Sequence, residues 1–446
     1  MKRQESEPLD SGHDSKRQRS LDGSPTPRPL ACCPNGCPAG ICVAGAVGGW
    51  TPIPRLAAPP TRAEFLRLSA KRSPFIISGD PASLWGWAAS DGRWSKCEYI
   101  RDHPHTRGRE QDQDAPLVGF KEWRRQSEYA VSGRAALSAL CAREADRLAN
   151  EQTDTQDPAL RHGHDQDHCN TLEERLYLTA WEYDPPEQAG EEGSIPSQAS
   201  IGLVEDVGGG VPIMPCLFES AASPGLRALS QLLRWMFIGE SGTACEAHTD
   251  PIASNAWMWL ASGGKQWRLM LLPPEIRESF RVLARDDYPD LFSCGALEHA
   301  APESATLMYA DLAPGEVIFV PSMAVHAVRN VSLGLTTAVS HNFVDASCLP
   351  DTLRALAGAL DMLQRMEVAG ETRDAVLEAL NESLDAPLFA LLSIALGSPE
   401  SIEGVVSAAV AEATAVSQLA IRDALLREWN VCERLLAATA ESTSSS

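Results

Sequence analysis

The sequence predicts an α+β protein: a β-rich core built as a sandwich or barrel, N-terminal α/β elements before it and a C-terminal helical region after it. Residues 230–345 hold a series of short β-type runs separated by Gly- and Pro-rich turns. After Leu349 the chain turns to Ala, Leu and Glu with apolar residues at helical spacing. The 446 residues, 44% hydrophobic and 22% charged, have ordinary globular composition and suffice for a sizeable core.

The organisation predicted is a tail over 1–48, an N-terminal part over 49–229, the β core over 230–345 and helices over 346–446. The first 30 residues are rich in Ser, Asp, Glu, Arg and Pro without hydrophobic period, and are expected to be disordered. Lys2-Arg3 and Lys16-Arg17-Gln18-Arg19 have the spacing of a bipartite nuclear import signal, so the nucleus is expected, with the cytoplasm as alternative. Cys32-Cys33, Cys37 and Cys42 lack a second hook for zinc and read as a loop. Arg62–Lys71 reads as a helix and Pro74–Ser78 as a buried strand. A polar insertion at about 100–172 carries one helix, Gly133–Leu148, and ends in the loop His162–Cys169. Leu176–Tyr183 alternates as a strand, and Pro185–Ser197 is an acidic loop.

In the core, Leu232–Ile238, Asn255–Leu260, Gln266–Leu272, Val317–Val320, His326–Val331 and Leu335–Phe343 read as strands. Helices follow at Asp351–Val368, Thr372–Leu384, Ala386–Leu396 and along Pro399–Ala438. Leu353, Leu356, Leu360 and Leu363 form an apolar stripe that packs either on the β core or in a homodimer.

The formal net charge of −22 argues against duplex DNA as a partner and suits a basic peptide. No apolar run reaches membrane-spanning length, and the polar N-terminus argues against a signal peptide. The twelve cysteines are scattered, and a reduced, intracellular chain is expected.

His248-Thr-Asp250 follows a strand-like run and precedes another strand, which places both side chains at a strand end. His326 opens a later β run behind the stop at Pro321. Two imidazoles and one carboxylate on one face of a metal leave three positions open, the facial triad of non-haem Fe(II) oxygenases. The alternative is two exposed histidines with no shared task. Lys265 is the last of six lysines and follows Ser262-Gly-Gly264, between Trp259 and Trp267. A lone ammonium there suits a pocket for a dicarboxylate, and the alternative is a surface lysine at a hairpin.

Taken in order, these motifs resemble the Jumonji-C domain, hydroxylase branch: Phe237-Ile-Gly239, His248-Thr-Asp250-Pro, Ala256-Trp257, Gly264-Lys265-Gln-Trp267, Pro314–Pro321 with His326 and Asn330, and Ser340–Phe343. The resemblance is close over 230–345 and looser over 50–230. It implies a double-stranded β-helix of the cupin or jelly-roll type, Fe(II) on His248, Asp250 and His326, and 2-oxoglutarate and O₂ as cosubstrates. It also implies that Lys265 meets the distal carboxylate of 2-oxoglutarate, with Ser340 in the place of a family hydroxyl. By strand alternation Ser340 and Asn342 share a face, so Asn342 is expected with Ser340 beside the cosubstrate, and His341 lies on the other, away from the metal. Cys245 stands where the family commonly has Thr, and Met258 where part of it has Asn. Both departures bear on cosubstrate hydrogen bonding.

The expected activity is hydroxylation of a protein side chain, lysyl or similar. The alternatives are a histone lysine or arginine demethylase, a catalytically silent nuclear scaffold, and an RNA hydroxylase.

Overall fold

The computed structural model describes residues 49–103, 115–121, 124–154, 174–182, 206–208, 210–273, 276, 288–292, 304–368 and 372–444. The basic clusters at Lys2–Arg19, the Cys32–Cys42 segment, the His162–Cys169 loop and the Pro185–Ser197 loop lie outside the described residues.

Six strands precede the core: β1 (Trp50–Pro52), β2 (Arg55–Leu56), β3 (Phe75–Ile77), β4 (Ala115–Lys121), β5 (Arg124–Val131) and β6 (Arg175–Glu182). The core adds β7 (Arg234–Gly239), β8 (Ala244–His248), β9 (Asn255–Ser262) and β10 (Lys265–Leu271). It continues with β11 (Thr306–Leu312), β12 (Val317–Val320), β13 (Val325–Asn330) and β14 (Thr336–Phe343). They form a five-stranded sheet, β1-β11-β10-β13-β8, and a nine-stranded sheet, β2-β3-β12-β9-β14-β7-β6-β4-β5. From β7 to β14 the chain passes back and forth between the sheets, so sequence neighbours often lie in different sheets.

The large sheet is covered on both faces, which is why its central strands read as almost continuous apolar runs. All eight residues of β14 are buried. On β9, Ala256, Met258 and Leu260 face the core that also holds Trp267 and Leu269 of the small sheet. Trp257 and Trp259 belong to the opposite core, shared with the helices. There they meet Trp87, with ring centroids 5.7 and 5.5 Å away. Between β9 and β10 the chain turns at Gly263, where φ is +80° and an added Cβ would lie 2.7 Å from the Thr336 Cα, so glycine is required.

Helices α1 (Arg62–Ala70) and α2 (Gly133–Asp154) precede the core. A capping box starts α1: Thr61 accepts from the Glu64 amide while Glu64 accepts from the Thr61 amide. Beyond the core follow α3 (Leu349–Val368), α4 (Arg373–Ser383), α5 (Ala386–Gly397), α6 (Pro399–Ala415) and α7 (Leu419–Ser444). No single described helix is long and apolar enough to cross a membrane, and the apolar pair α5 and α6 is bent by 105°.

Two expectations need correction. The polar insertion contains the antiparallel pair β4–β5 at the edge of the large sheet as well as the helix α2. Cys97 and Cys141 form a disulfide, so the expectation of uniformly reduced cysteines fails at this pair. Of the two alternatives for the leucine stripe of α3, packing within the chain is the one seen: Leu356, Leu360 and Leu363 are wholly inaccessible. Leu356→Ala should therefore lower unfolding free energy by about 2–5 kcal/mol, measured in urea. A change near zero would mean that the stripe contributes little to the fold.

Candidate active site

The antiparallel pairing of β8 with β13 sets His248 directly opposite His326. Their rings lie 4.3 Å apart, tilted by 52°. Asp250 follows two residues after His248, and ligand atoms of His248, Asp250 and His326 all lie within 4.8 Å of one another. The histidines and the carboxylate singled out in the sequence thus converge on one point.

Each ligand is held from behind. Nδ1 of His248 lies 2.7 Å from the Glu246 carbonyl, and Nδ1 of His326 lies 3.0 Å from that of Ala324. A ring that donates from Nδ1 to a carbonyl carries its lone pair on Nε2, which is how metal-binding imidazoles are usually fixed. Burial, and then the neighbouring His248, hold the His326 pKa below its ordinary value, favouring the neutral ring that a metal requires. Asn342 donates to Asp250 Oδ1 at 2.7 Å and to Ser254 Oγ at 3.2 Å. Asp250 leads into a tight turn in which Ile252 and Ala253 take φ of 48° and 51°, unfavourable for residues other than glycine. Ser322 Oγ donates to the Ala253 carbonyl at 2.6 Å, and Ser254 Oγ to that of Pro251 at 2.9 Å. These bonds pin the turn.

Lys265 is not at the surface. It starts β10, opposite Asn330 of β13, and only 1% of it is exposed. Nζ donates to Asn330 Oδ1 at 2.9 Å and to Tyr177 Oη at 3.2 Å. Among the described residues no carboxylate pairs with it. Burial in this apolar surrounding lowers its pKa to about 7. The ammonium also lies over the rings of Tyr177 and Phe237, at 5.3 and 5.6 Å.

One pocket joins the candidate metal-ligand cluster to Lys265. Its lining includes His248, Asp250, His326, Lys265, Tyr177, Ser340 and Asn342. Cys245 and Met258 line it too, so both departures from the family pattern face the site. Trp267 forms a wall, stacked on His326 with centroids 5.8 Å apart. Ser340 Oγ donates to the Trp257 carbonyl at 3.0 Å. Asn342, in the lining of the same pocket, donates its amide to Asp250.

His341 lies on the other face. Its Nε2 is 3.4 Å from Ser230 Oγ and 3.6 Å from Glu219, and burial holds its pKa well below the ordinary value. Tyr177 and Thr243 were missed as site residues. Tyr177 lies in the alternating run Leu176–Tyr183, but only the pairing of β6 with β7 brings it to the pocket.

Comparison with known proteins agrees with this geometry. No family model matches the chain. It is 30% identical over 168 residues to the bifunctional arginine demethylase and lysyl-hydroxylase psr-1 of Caenorhabditis briggsae, which covers 34% of this chain and 41% of that protein. It is 28% identical over 151 residues to JmjC domain-containing protein 1 of Schizosaccharomyces pombe, or 32% and 30% of the two chains. Over the matched region this chain is similar to JmjC-domain proteins. The 2-oxoglutarate and iron-dependent oxygenase JMJD4 of Mus musculus is 30% identical over 135 residues, 29% of this chain and 31% of that protein. The matches thus span less than half of each relative.

Proposed function

We propose that this chain is an Fe(II)- and 2-oxoglutarate-dependent dioxygenase that hydroxylates a protein side chain, lysyl or similar. The carrying observation is the convergence of His248, Asp250 and His326 in one pocket with the buried Lys265. The strand order of β7–β14 across the two sheets supports reading the core as a double-stranded β-helix.

The donors fit the metal. His248, Asp250 and His326 would hold Fe(II) from one side, a donor set that would leave positions for a cosubstrate and O₂. Bound iron with 2-oxoglutarate and O₂ would supply insertion of one oxygen atom into a C–H bond, with succinate and CO₂ as the other products. The protein's own residues bind and orient. Lys265 and Tyr177 offer N–H and O–H donors to the distal carboxylate, and Asn342 holds the Asp250 carboxylate in place. Trp267, Phe237 and Met258 exclude water around the charge pair, strengthening it. The net charge of −22 supports a basic peptide as substrate.

Incubation of the chain with Fe(II), 2-oxoglutarate, O₂ and lysine-rich peptides tests this reading. A gain of one oxygen atom on the peptide supports it, whereas release of formaldehyde from a methylated peptide would favour the demethylase named in the psr-1 relative. Succinate without any peptide product would remove the assigned substrate class.

Cosubstrate affinity should also depend on pH. Only the ammonium form of Lys265 pairs with a carboxylate, and its pKa in the unliganded pocket is about 7. Affinity is fullest below that value and falls as pH rises through it, by roughly tenfold per unit. Titrations between neutral and alkaline pH check this. The falling limb should vanish in Lys265→Arg, because guanidinium stays charged.

A further inference from the structure

Lys265 is one end of a buried hydrogen-bonded chain. Its Nζ donates to Asn330 Oδ1 at 2.9 Å, and Asn330 Nδ2 donates to Thr243 Oγ1 at 2.8 Å. Thr243 Oγ1 in turn donates to the Glu240 carbonyl at 2.7 Å. The backbone closes the same link, since the Asn330 amide donates to the Thr243 carbonyl at 2.9 Å. Asn330 is 1% exposed and Thr243 is wholly buried. Gly239 makes room for the arrangement: a Cβ there would lie 2.4 Å from Tyr177 Cδ2, 2.6 Å from Asn330 Nδ2 and 2.9 Å from Thr243 Oγ1.

An ammonium has three N–H donors. Asn330 and Tyr177 take two, leaving one for an incoming anion. The neutral amide of Asn330 matters here. It satisfies and aims the buried ammonium without neutralising it, so the positive charge stays available to a ligand. A carboxylate at the same position would occupy Lys265 permanently.

We propose that Asn330, anchored by Thr243, is a positioning residue that keeps Lys265 aimed and uncompensated for the distal carboxylate of 2-oxoglutarate. This inference rests on the cosubstrate reading given above.

The experiment is calorimetric titration of 2-oxoglutarate into the Mn(II)-loaded full chain, with the melting temperature of each unliganded variant measured in parallel. Asn330→Asp, nearly isosteric, places an internal carboxylate on Lys265. It should weaken binding by roughly ten- to hundredfold while the melting temperature stays level or rises. A merely structural Asn330 would instead lose melting temperature with little change in affinity, and that result would overturn the proposal. Thr243→Val, which touches neither Lys265 nor ligand, should weaken binding by about tenfold through loss of the anchor. Should Asn330→Asp not fold, unchanged affinity in Thr243→Val overturns the proposal by itself. Failure of the unmutated chain to bind 2-oxoglutarate would sink the cosubstrate reading, whereas equal binding by wild type and Asn330→Asp would sink only the role of Asn330.

Discussion

Asp250→Ala, His248→Ala and His326→Ala should each yield a folded protein that retains no iron after dialysis, whereas His341→Ala keeps one Fe(II) per chain. Three donors on one side of a metal are a minimal set, and removing any leaves two. Asp250 carries the further burden of charge: its carboxylate is the anionic member of the cluster, and its loss also leaves Asn342 without one of its two acceptors. Asn342→Ala, which leaves all three donors in place, should weaken metal binding by about 10–100-fold, the usual effect of losing a partner behind a ligand. His341 serves as an internal contrast. It is a buried histidine one residue from Asn342, yet it faces Ser230 and Glu219 on the far side of β14. Metal analysis of the dialysed variants gives the answer, and equal iron loss in His341→Ala would place the metal on the wrong face of the sheet.

Lys265→Met should abolish tight 2-oxoglutarate binding and raise the thermal stability of the unliganded protein. A buried ammonium with no counter-charge is costly, and its depressed pKa expresses that cost. An apolar side chain of similar length removes the penalty and fills the same space between Tyr177 and Phe237. The loss on the binding side is a charge-assisted hydrogen bond, about 1.5–3 kcal/mol, or roughly ten- to hundredfold in affinity. Lys265→Arg should rescue poorly, because the guanidinium is too wide for the space set by Asn330 and Tyr177. Unchanged cosubstrate affinity in both variants would mean that the carboxylate binds elsewhere.

The candidate metal ligands were legible because each has a local signal. His248 and Asp250 are two residues apart, and His326 opens a strand after a proline stop. Alternation along β14 separated His341 from Ser340 and Asn342, and burial on both sides of that strand maintains the separation. The network around Lys265 was less legible. Tyr177 lies 88 residues before it in sequence, and their contact depends on sheet pairing rather than on any pattern near either residue. Strands β8 and β11 have mixed polarity, so their β character comes from their neighbours. The hairpin β4–β5 sits at a sheet edge, where polar residues face outward and blur the period of two. The stripe on α3 showed that a face must be buried but not what buries it.

On the function proposed above, the candidate metal-ligand cluster and Lys265 act together on one cosubstrate. The most direct measurement is succinate released from 2-oxoglutarate by the full chain, with and without added Fe(II), in wild type, Asp250→Ala and Lys265→Met. Expected are iron-dependent succinate in wild type, none above background in Asp250→Ala, and recovery in Lys265→Met only at greatly raised 2-oxoglutarate. Succinate formation by wild type that needs no iron, or that survives unchanged in Asp250→Ala, would contradict that function.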